Sequence, residues 1–382
     1  MRRSGAALRL AAGAIACAAA ASPAHAAPAA ALPPVRHVFV LLLENQSFAA
    51  SFGPDSRAPF LAHTLAAQGA LLTQYYSIGH DSLGNYIALV SGQAPNQETQ
   101  LDCKIFMDFV PSVPQPDAHG QLPGEGCVYP KMVKTLPDQL QAAGLTWRAY
   151  LEDMGANPAR ERATCGHVPL GTRETTHMAT RADQYAARHN PFVYFHSIID
   201  DQSRCDAHVV NLERLPHDLE SIATTANYSF ITPNLCNDGH DPVCVDGRRG
   251  GLTAIDAFLR VWVPRIVGSP GFRADGLLVI TFDESAGADA SDSLACCGEK
   301  PLPGARLSPG FSGPGGGRIG AVVLSRFVRA GTVSAVPYNH YSLLRTVETL
   351  FSLPLLGYAA EPDLKAFGPD VFSAGAPPPR AR

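Results

Sequence analysis

The sequence predicts an α/β fold, a mostly parallel central sheet flanked by helices on both faces and interrupted by long loop insertions. Three observations predict it. Apolar runs of strand length recur along the chain, and they are continuous rather than alternating, as strands buried on both faces require. Segments with helical period lie between them. Polar residues of catalytic or metal-ligand type gather where the runs end, which is where open parallel sheets bind ligands.

In chain order, residues 1–26 have a basic start, an Ala-rich apolar stretch and a small-residue "AHA", the signature of a secretory signal peptide. The expected product is secreted or periplasmic. Lipid attachment at Cys17 is disfavoured because Ala14 stands where Leu is usual. Residues 27–34 and 373–382 are rich in Ala, Pro and Gly and read as a loose N-terminal segment and a disordered tail, leaving 35–372 as a single domain. No later run reaches the ~18 apolar residues of a membrane helix, so no stable membrane insertion is expected.

Of the nine cysteines, all but Cys17 fall in the mature chain. That even set suits disulfides in an oxidising compartment, and sequence proximity suggests Cys103–Cys127, Cys165–Cys205 and Cys236–Cys244, with Cys296 and Cys297 vicinally bonded or free. A cysteine-held zinc is disfavoured because no CxxC pair occurs. The net charge of −4 carries no basic field, which argues against nucleic acid, and no charge block marks an obligate protein partner.

The expected strands are Val38–Leu43, Leu71–Tyr76, Trp147–Leu151, Tyr228–Ile231, Leu277–Phe282 and Ile319–Leu324. "LTAIDAFLRVWVPRI" places Ile255, Phe258, Leu259 and Trp262 on one helical stripe. "TLPDQLQAAG" has Pro137 and Asp138 in a first turn and Gly144 past its end. "NHYSLLRTVETLFSL" repeats the period through Leu343, Leu344, Val347 and Leu350. The Pro/Gly-rich regions 94–126 and 287–317 exceed ordinary connections and are expected to rim one edge of the sheet.

The first strand halts on Glu44 and Asn45, another on Asp283 and Glu284, and a third on Asn234, leading to Asp238, His240 and Asp241. A fourth leads to His80, Asp81 and Ser82 at the head of a helix holding Asn85. Each cluster alone also fits a solvated turn or a helix cap. Together the oxygen pairs suit a hard or borderline divalent cation, Ser82 is the candidate nucleophile, and a serine hydroxyl needs a metal or a base to activate it. A helix N-terminus there would favour a phosphate. His80, His240 and His340 could contribute positive charge or a proton for the leaving alkoxide.

From His37 to Leu356 these motifs resemble, in order, the phosphoesterase family that contains acid phosphatases and phosphatidylcholine-type phospholipases C, within the alkaline-phosphatase-like superfamily. "FVLLLENQSF" resembles the family's opening ENxSF motif and "HDSLGNYIALVSGQ" its HPSxPNYxAxxSG segment; "ITPNLCNDGHD", "ITFDES" and "HYSLLRTVETLFSLP" match later blocks. The resemblance implies that Glu44, Asn45, Asp283 and Glu284 ligate a divalent metal ion and that Ser82 is transiently phosphorylated. It also implies that Asn85, His80, Asn234 and Asp238 bind substrate and that His240 and His340 act in catalysis. One ion is implied. A second stays open, because Asn45 and Glu284 stand where two-zinc relatives use Asp and His. Asp81 and Gly84 depart from the family's prolines, and the chain has no room after its last helix for the phospholipases' extra β-domains. The implied activity is an acid-phosphatase-like phosphomonoesterase on a small phosphate ester. The alternatives are a phospholipase C or phosphodiesterase acting on phospholipid headgroups and a non-catalytic phosphate-ligand binder. A sulfatase is disfavoured because no Cys/Ser-x-Pro-x-Arg motif surrounds Ser82.

Overall fold

A computed structural model describes residues 32–286 and 292–373, which fall within one compact unit. The expected signal peptide lies outside the described residues, as do 27–31, 287–291 and 374–382.

The central sheet has eight strands: β1 (His37–Leu43), β2 (Ala70–Leu72), β3 (Trp147–Leu151), β4 (Val209–Asn211), β5 (Tyr228–Thr232), β6 (Gly276–Phe282), β7 (Ala321–Ser325) and β8 (Thr332–Ser334). Their spatial order is β8-β2-β7-β6-β1-β5-β3-β4. β6, β1, β5, β3 and β4 run parallel, and β7 is antiparallel to both its neighbours. Every residue of β1 is buried, which is why HVFVLLL is apolar throughout: a central strand covered on both faces has no polar side to show. Leu41 is opposite Ile231 on one side and Ile280 on the other.

That register brings the carboxyl ends of β1, β5 and β6 together. The Glu44 amide donates to Asp238 O at 2.9 Å, and the Asp283 amide donates to Leu43 O at 2.9 Å. The helices that matter most to the site are α1 (Ser82–Ser91), α2 (Leu136–Ala142), α3 (Leu252–Gly268) and α4 (His340–Leu350). α2 starts with a capping box in which Thr135 and Asp138 satisfy each other's backbone amides, and Asn339 caps α4 by accepting from the Ser342 amide at 2.9 Å. α1 and α4 pack against each other.

The expected strand Leu71–Tyr76 is two pieces. Its first half is β2, and Tyr75–Tyr76 leaves the sheet to pair with Tyr338–Asn339. This detour sets the chain before Ser82 beside the start of α4. β4 and β8, absent from the expected strands, are three-residue edges too short to show a period. The 94–126 region is largely packed: Asn96, Thr99, Gln100, Phe106 and Leu122 are buried, and Asp102 reaches the first turn of α1. Disulfides join Cys103–Cys127, Cys165–Cys205, Cys236–Cys244 and the adjacent Cys296–Cys297.

Candidate active site

The end of β1 explains the acid and amide that follow it. Asn45 adopts φ +47°, a left-handed turn that asparagine tolerates better than most residues, and this turn leaves Glu44 fully buried behind it. Ser82 Oγ donates to Glu44 Oε2 at 2.9 Å, and Tyr86, one turn further along α1, donates to Glu44 Oε1. From β6, Asp283 accepts the Asn45 amide at 3.1 Å and lies within hydrogen-bond reach of Ser82 and Glu44. Residues 44, 45, 82 and 283 therefore meet, although some two hundred positions separate them.

Two further groups complete the cluster. Asp238, after β5, and His189 are both buried; His189 Nε2 lies 3.2 Å from Glu44 Oε2 and its Nδ1 3.2 Å from Asp238 Oδ2. Neither contact is aligned as a hydrogen bond. Both ring nitrogens, Asp238 Oδ2 and Asp283 Oδ2 are left without a hydrogen-bond partner among the described residues. Burial, then repulsion from Asp283 and Asp238, raises the Glu44 carboxyl well above its ordinary range; burial likewise raises Asp238 and Asp283. Burial, with the neighbouring Arg188 cation, holds His189 well below the usual imidazole range.

A divalent cation suits this donor set. Glu44, His189 and Asp238 each offer a ligand atom within 4.8 Å of the others. The Asn45 side-chain amide turns one polar atom to both Glu44 Oε2 (3.3 Å) and Asp283 Oδ1 (3.2 Å). As NH2 it donates to both; as the carbonyl oxygen it completes a set of hard oxygens of the kind that binds such an ion. Buried carboxylates facing one buried guanidinium, Arg188, lack compensating positive charge. Cys296 and Cys297 also approach Glu299, but as a disulfide they offer no thiolate.

The other expected residues have definite places. Glu284 pairs with His80 and receives the Asp81 amide, so its carboxylate is turned to the loop that precedes Ser82. Asn85 spends its side chain inside that loop: Oδ1 accepts the Ile78 and Gly79 amides at 2.9 and 3.0 Å, and Nδ2 donates to Gly79 O at 2.8 Å. Asn234 is similarly bound, its Nδ2 donating to Asp153 at 2.8 Å and its Oδ1 accepting the Asn237 amide at 2.9 Å. His240 takes a hydrogen bond from Arg188 on Nε2 (3.1 Å) and faces Asp241 through Nδ1 (2.8 Å). His340 donates from Nε2 to Asp283 O at 2.7 Å, has the Tyr75 hydroxyl 3.3 Å from Nδ1, and is held down to about 4 by burial.

At the head of α1 the Leu83 amide is bonded to Asp102 Oδ1 at 3.0 Å, so that amide is taken up within the protein. Asp81, just before Ser82, holds φ +59°, a conformation closed to proline. Arg188 and His189 carry no strand-end signal in the sequence because they sit in a short 3-10 turn that follows no apolar run. The only cue was an Arg-His-Asn triplet leading into the apolar PFVYF.

These elements define a class: an α/β domain whose strand ends gather a serine, buried carboxylates and a histidine in one pocket. The chain belongs to the phosphoesterase family, whose model matches residues 54–354. It is similar to a probable acid phosphatase of Kluyveromyces lactis, 25% identical over 84% of this chain and 59% of that one. It is also similar to an acid phosphatase of Aspergillus fumigatus, 25% identical over 84% and 55%. The chain thus spans little more than half the length of these two relatives. A phosphatidylinositol-3-phosphatase of Mycobacterium tuberculosis is 28% identical over 92% of this chain and 88% of its own. Among solved structures, a protein in the alkaline phosphatase superfamily from Vibrio parahaemolyticus matches at TM-score 0.46 and 14% identity, over 85% of this chain and 68% of that one.

Proposed function

We propose that the protein is an exported, metal-dependent phosphoester hydrolase of the acid-phosphatase-like phosphomonoesterase kind, working through a phosphoserine on Ser82. The observation that carries this reading is the Ser82 hydroxyl aimed at Glu44 Oε2, 2.9 Å away, inside a buried nest of carboxylates. The names of the relatives support the reaction class, and the disulfides fit an oxidising compartment.

Glu44 Oε2 takes the Ser82 proton as Oγ bonds to phosphorus and the P–O ester bond breaks, the departing alkoxide taking a proton from solvent water; a second water then attacks the phosphoserine, phosphate leaves, and Ser82 Oγ regains the proton held by Glu44. Glu44, Asn45, Asp238, Asp283 and His189 would hold the divalent ion, which when bound polarises the phosphate and makes the serine hydroxyl more acidic. Asn85 acts by bracing the 78–82 turn, and His340 by fixing the Asp283 peptide. His240 steadies Arg188, whose charge faces the pocket. His80 with Glu284 closes the other side of the turn, and Asn234 sets the loop that presents Asp238.

A lipid headgroup stays within the substrate range because the relative matched over most of both chains is named for a phosphorylated inositol lipid. The test is Ser82→Ala assayed on an aryl monophosphate, with single-turnover trapping of labelled phosphoserine in the unaltered protein. Turnover should fall by about three orders of magnitude or more with the fold intact. Retention of most activity would refute the assignment.

A further inference from the structure

Near the 78–82 loop lies a half-open hollow of about 670 Å³, lined by Lys104, Ile105, Arg173, Glu174, His177 and Met178. Its floor is a two-stranded ribbon that pairs Ile105 with Arg173. Arg188, next in sequence to His189, links the hollow to the cluster: it donates to His177 O at 3.0 Å and to His240 Nε2 at 3.1 Å. Asp102, two residues before Lys104, holds the Leu83 amide beside Ser82. Lys104 is near enough for its charge to act on Asp81.

The charges in the hollow are unequal. Lys104 and Arg173 are exposed and make no salt bridge or side-chain hydrogen bond among the described residues. The acid present, Glu174, is buried and already accepts the Thr176 amide on both oxygens at 2.9 Å and the Thr176 hydroxyl at 2.8 Å. His177 lies 3.6 Å from Glu174 and is held below its ordinary value by burial. Asp102 faces Arg188. Two cations of its lining therefore have no salt-bridge partner among the described residues, and Ile105 (44% exposed) and Met178 (77%) flank them. The volume falls within the range of small-molecule sites.

We propose that this hollow receives a second phosphate of the substrate, so that the enzyme prefers phosphomonoesters that carry another phosphate on a compact body. The inference rests on the hydrolase reading above. Lysine supplies a point charge and arginine a two-pronged donor for that second group, while the phosphate to be cleaved lies at Ser82. The shared chemistry could come from a soluble sugar bisphosphate or from the headgroup of a phosphorylated inositol lipid, whose diester is the second phosphate and whose chains would lie along Ile105 and Met178.

The test compares the full-length enzyme with Lys104→Gln, Arg173→Gln and the double variant on an aryl monophosphate, a hexose monophosphate, a hexose bisphosphate and a short-chain phosphatidylinositol monophosphate. Each single substitution should lower kcat/KM for the doubly phosphorylated substrates about tenfold, through KM, and leave the two monophosphates within about twofold. Ile105→Ser with Met178→Ser should weaken the lipid alone if the lipid is the source, and neither the lipid nor the hexose bisphosphate if it is the sugar; both results uphold the site. Equal losses on mono- and bisphosphates, or no losses, overturn it. If the unaltered protein hydrolyses none of the four, the hydrolase reading fails separately. Calorimetry with inorganic pyrophosphate then decides: binding that the double variant loses upholds the hollow as a phosphate site, and absent or unchanged binding overturns it.

Discussion

Glu348 offers the sharpest stability test because a buried acid with no salt bridge among the described residues should carry its proton at neutral pH. It sits on α4 with no exposed surface, and its Oε1 accepts the Leu356 amide at 3.0 Å. Its side-chain neighbour is Gln139, whose Nε2 is committed to Pro354 O at 2.6 Å. Glu348 Oε2 and Gln139 Oε1 both lack a hydrogen-bond partner, and a proton on Oε2 supplies a donor where two acceptors otherwise go without one. Burial, only partly offset by the Leu356 amide, Arg345 and the Gln139 side chain, pushes the carboxyl from its ordinary 4.5 up to about 9.

The sign follows from linkage. A folded-state pKa raised above the unfolded one contributes stability that is complete below the unfolded value and is lost as pH rises through the folded one. At pH 7 the loss is on the order of 3 kcal/mol, and above about pH 9 it approaches 6 kcal/mol, taking about 1.4 kcal/mol for each pH unit between the two pKa values. Glu348→Gln keeps the acceptor for the Leu356 amide and adds a permanent donor, so it should match the parent near pH 5 within about 1 kcal/mol and exceed it increasingly toward pH 9. Urea unfolding of both proteins across that range, in oxidising buffer, measures the difference with every other titrating group cancelled. A difference that stays flat with pH, or a variant less stable at the alkaline end, refutes the reasoning.

Further outcomes can be stated from the site. His189→Ala should weaken divalent-ion binding by about 10- to 100-fold or more, read by calorimetry on ion-stripped protein, and unchanged affinity would remove His189 from the ligand set. Asp81→Pro should cost at least about 1–3 kcal/mol and most of the turnover, because proline cannot take φ +59° and deletes the amide that Glu284 accepts. Asp81→Gly, which frees that backbone, should fold at least as well, and a proline variant of normal stability would contradict the turn geometry. Replacing Cys103 and Cys127 together by Ala should lower stability by about 3 kcal/mol, since the bridge closes a loop of sequence separation 24. The melting temperature tests this, and kcat should fall as well because Asp102, beside Cys103, holds the first turn of α1.

What could be read from the chain beforehand was whatever one local pattern decides. Runs such as HVFVLLL and GLLVITF are buried on both faces and so are uniformly apolar, which identifies a central parallel strand without any structure. The residues just beyond them, Glu44, Asn45 and Asp283, were visible because acids and amides stand out where an apolar run stops. That logic loses its grip once function depends on what is already bonded to what. The sequence offers Asn85, His240 and His340 as polar groups near a phosphate, and only folding reveals that their hydrogen-bonding atoms face Gly79, Arg188 and the Asp283 peptide. His189 poses the reverse problem. No run leads to it, yet both its ring nitrogens are left without hydrogen bonds beside Glu44 and Asp238. A side chain whose polar atoms are taken up by backbone or framing groups supports geometry, and buried polar atoms left unpaired, as on His189, Asp238 and Asp283, are available for chemistry. Around the Ser82–Glu44 contact those three complete the proposed reacting set, with His240 and His340 as its frame. The H189A titration and the S82A assay test the two halves of that division independently.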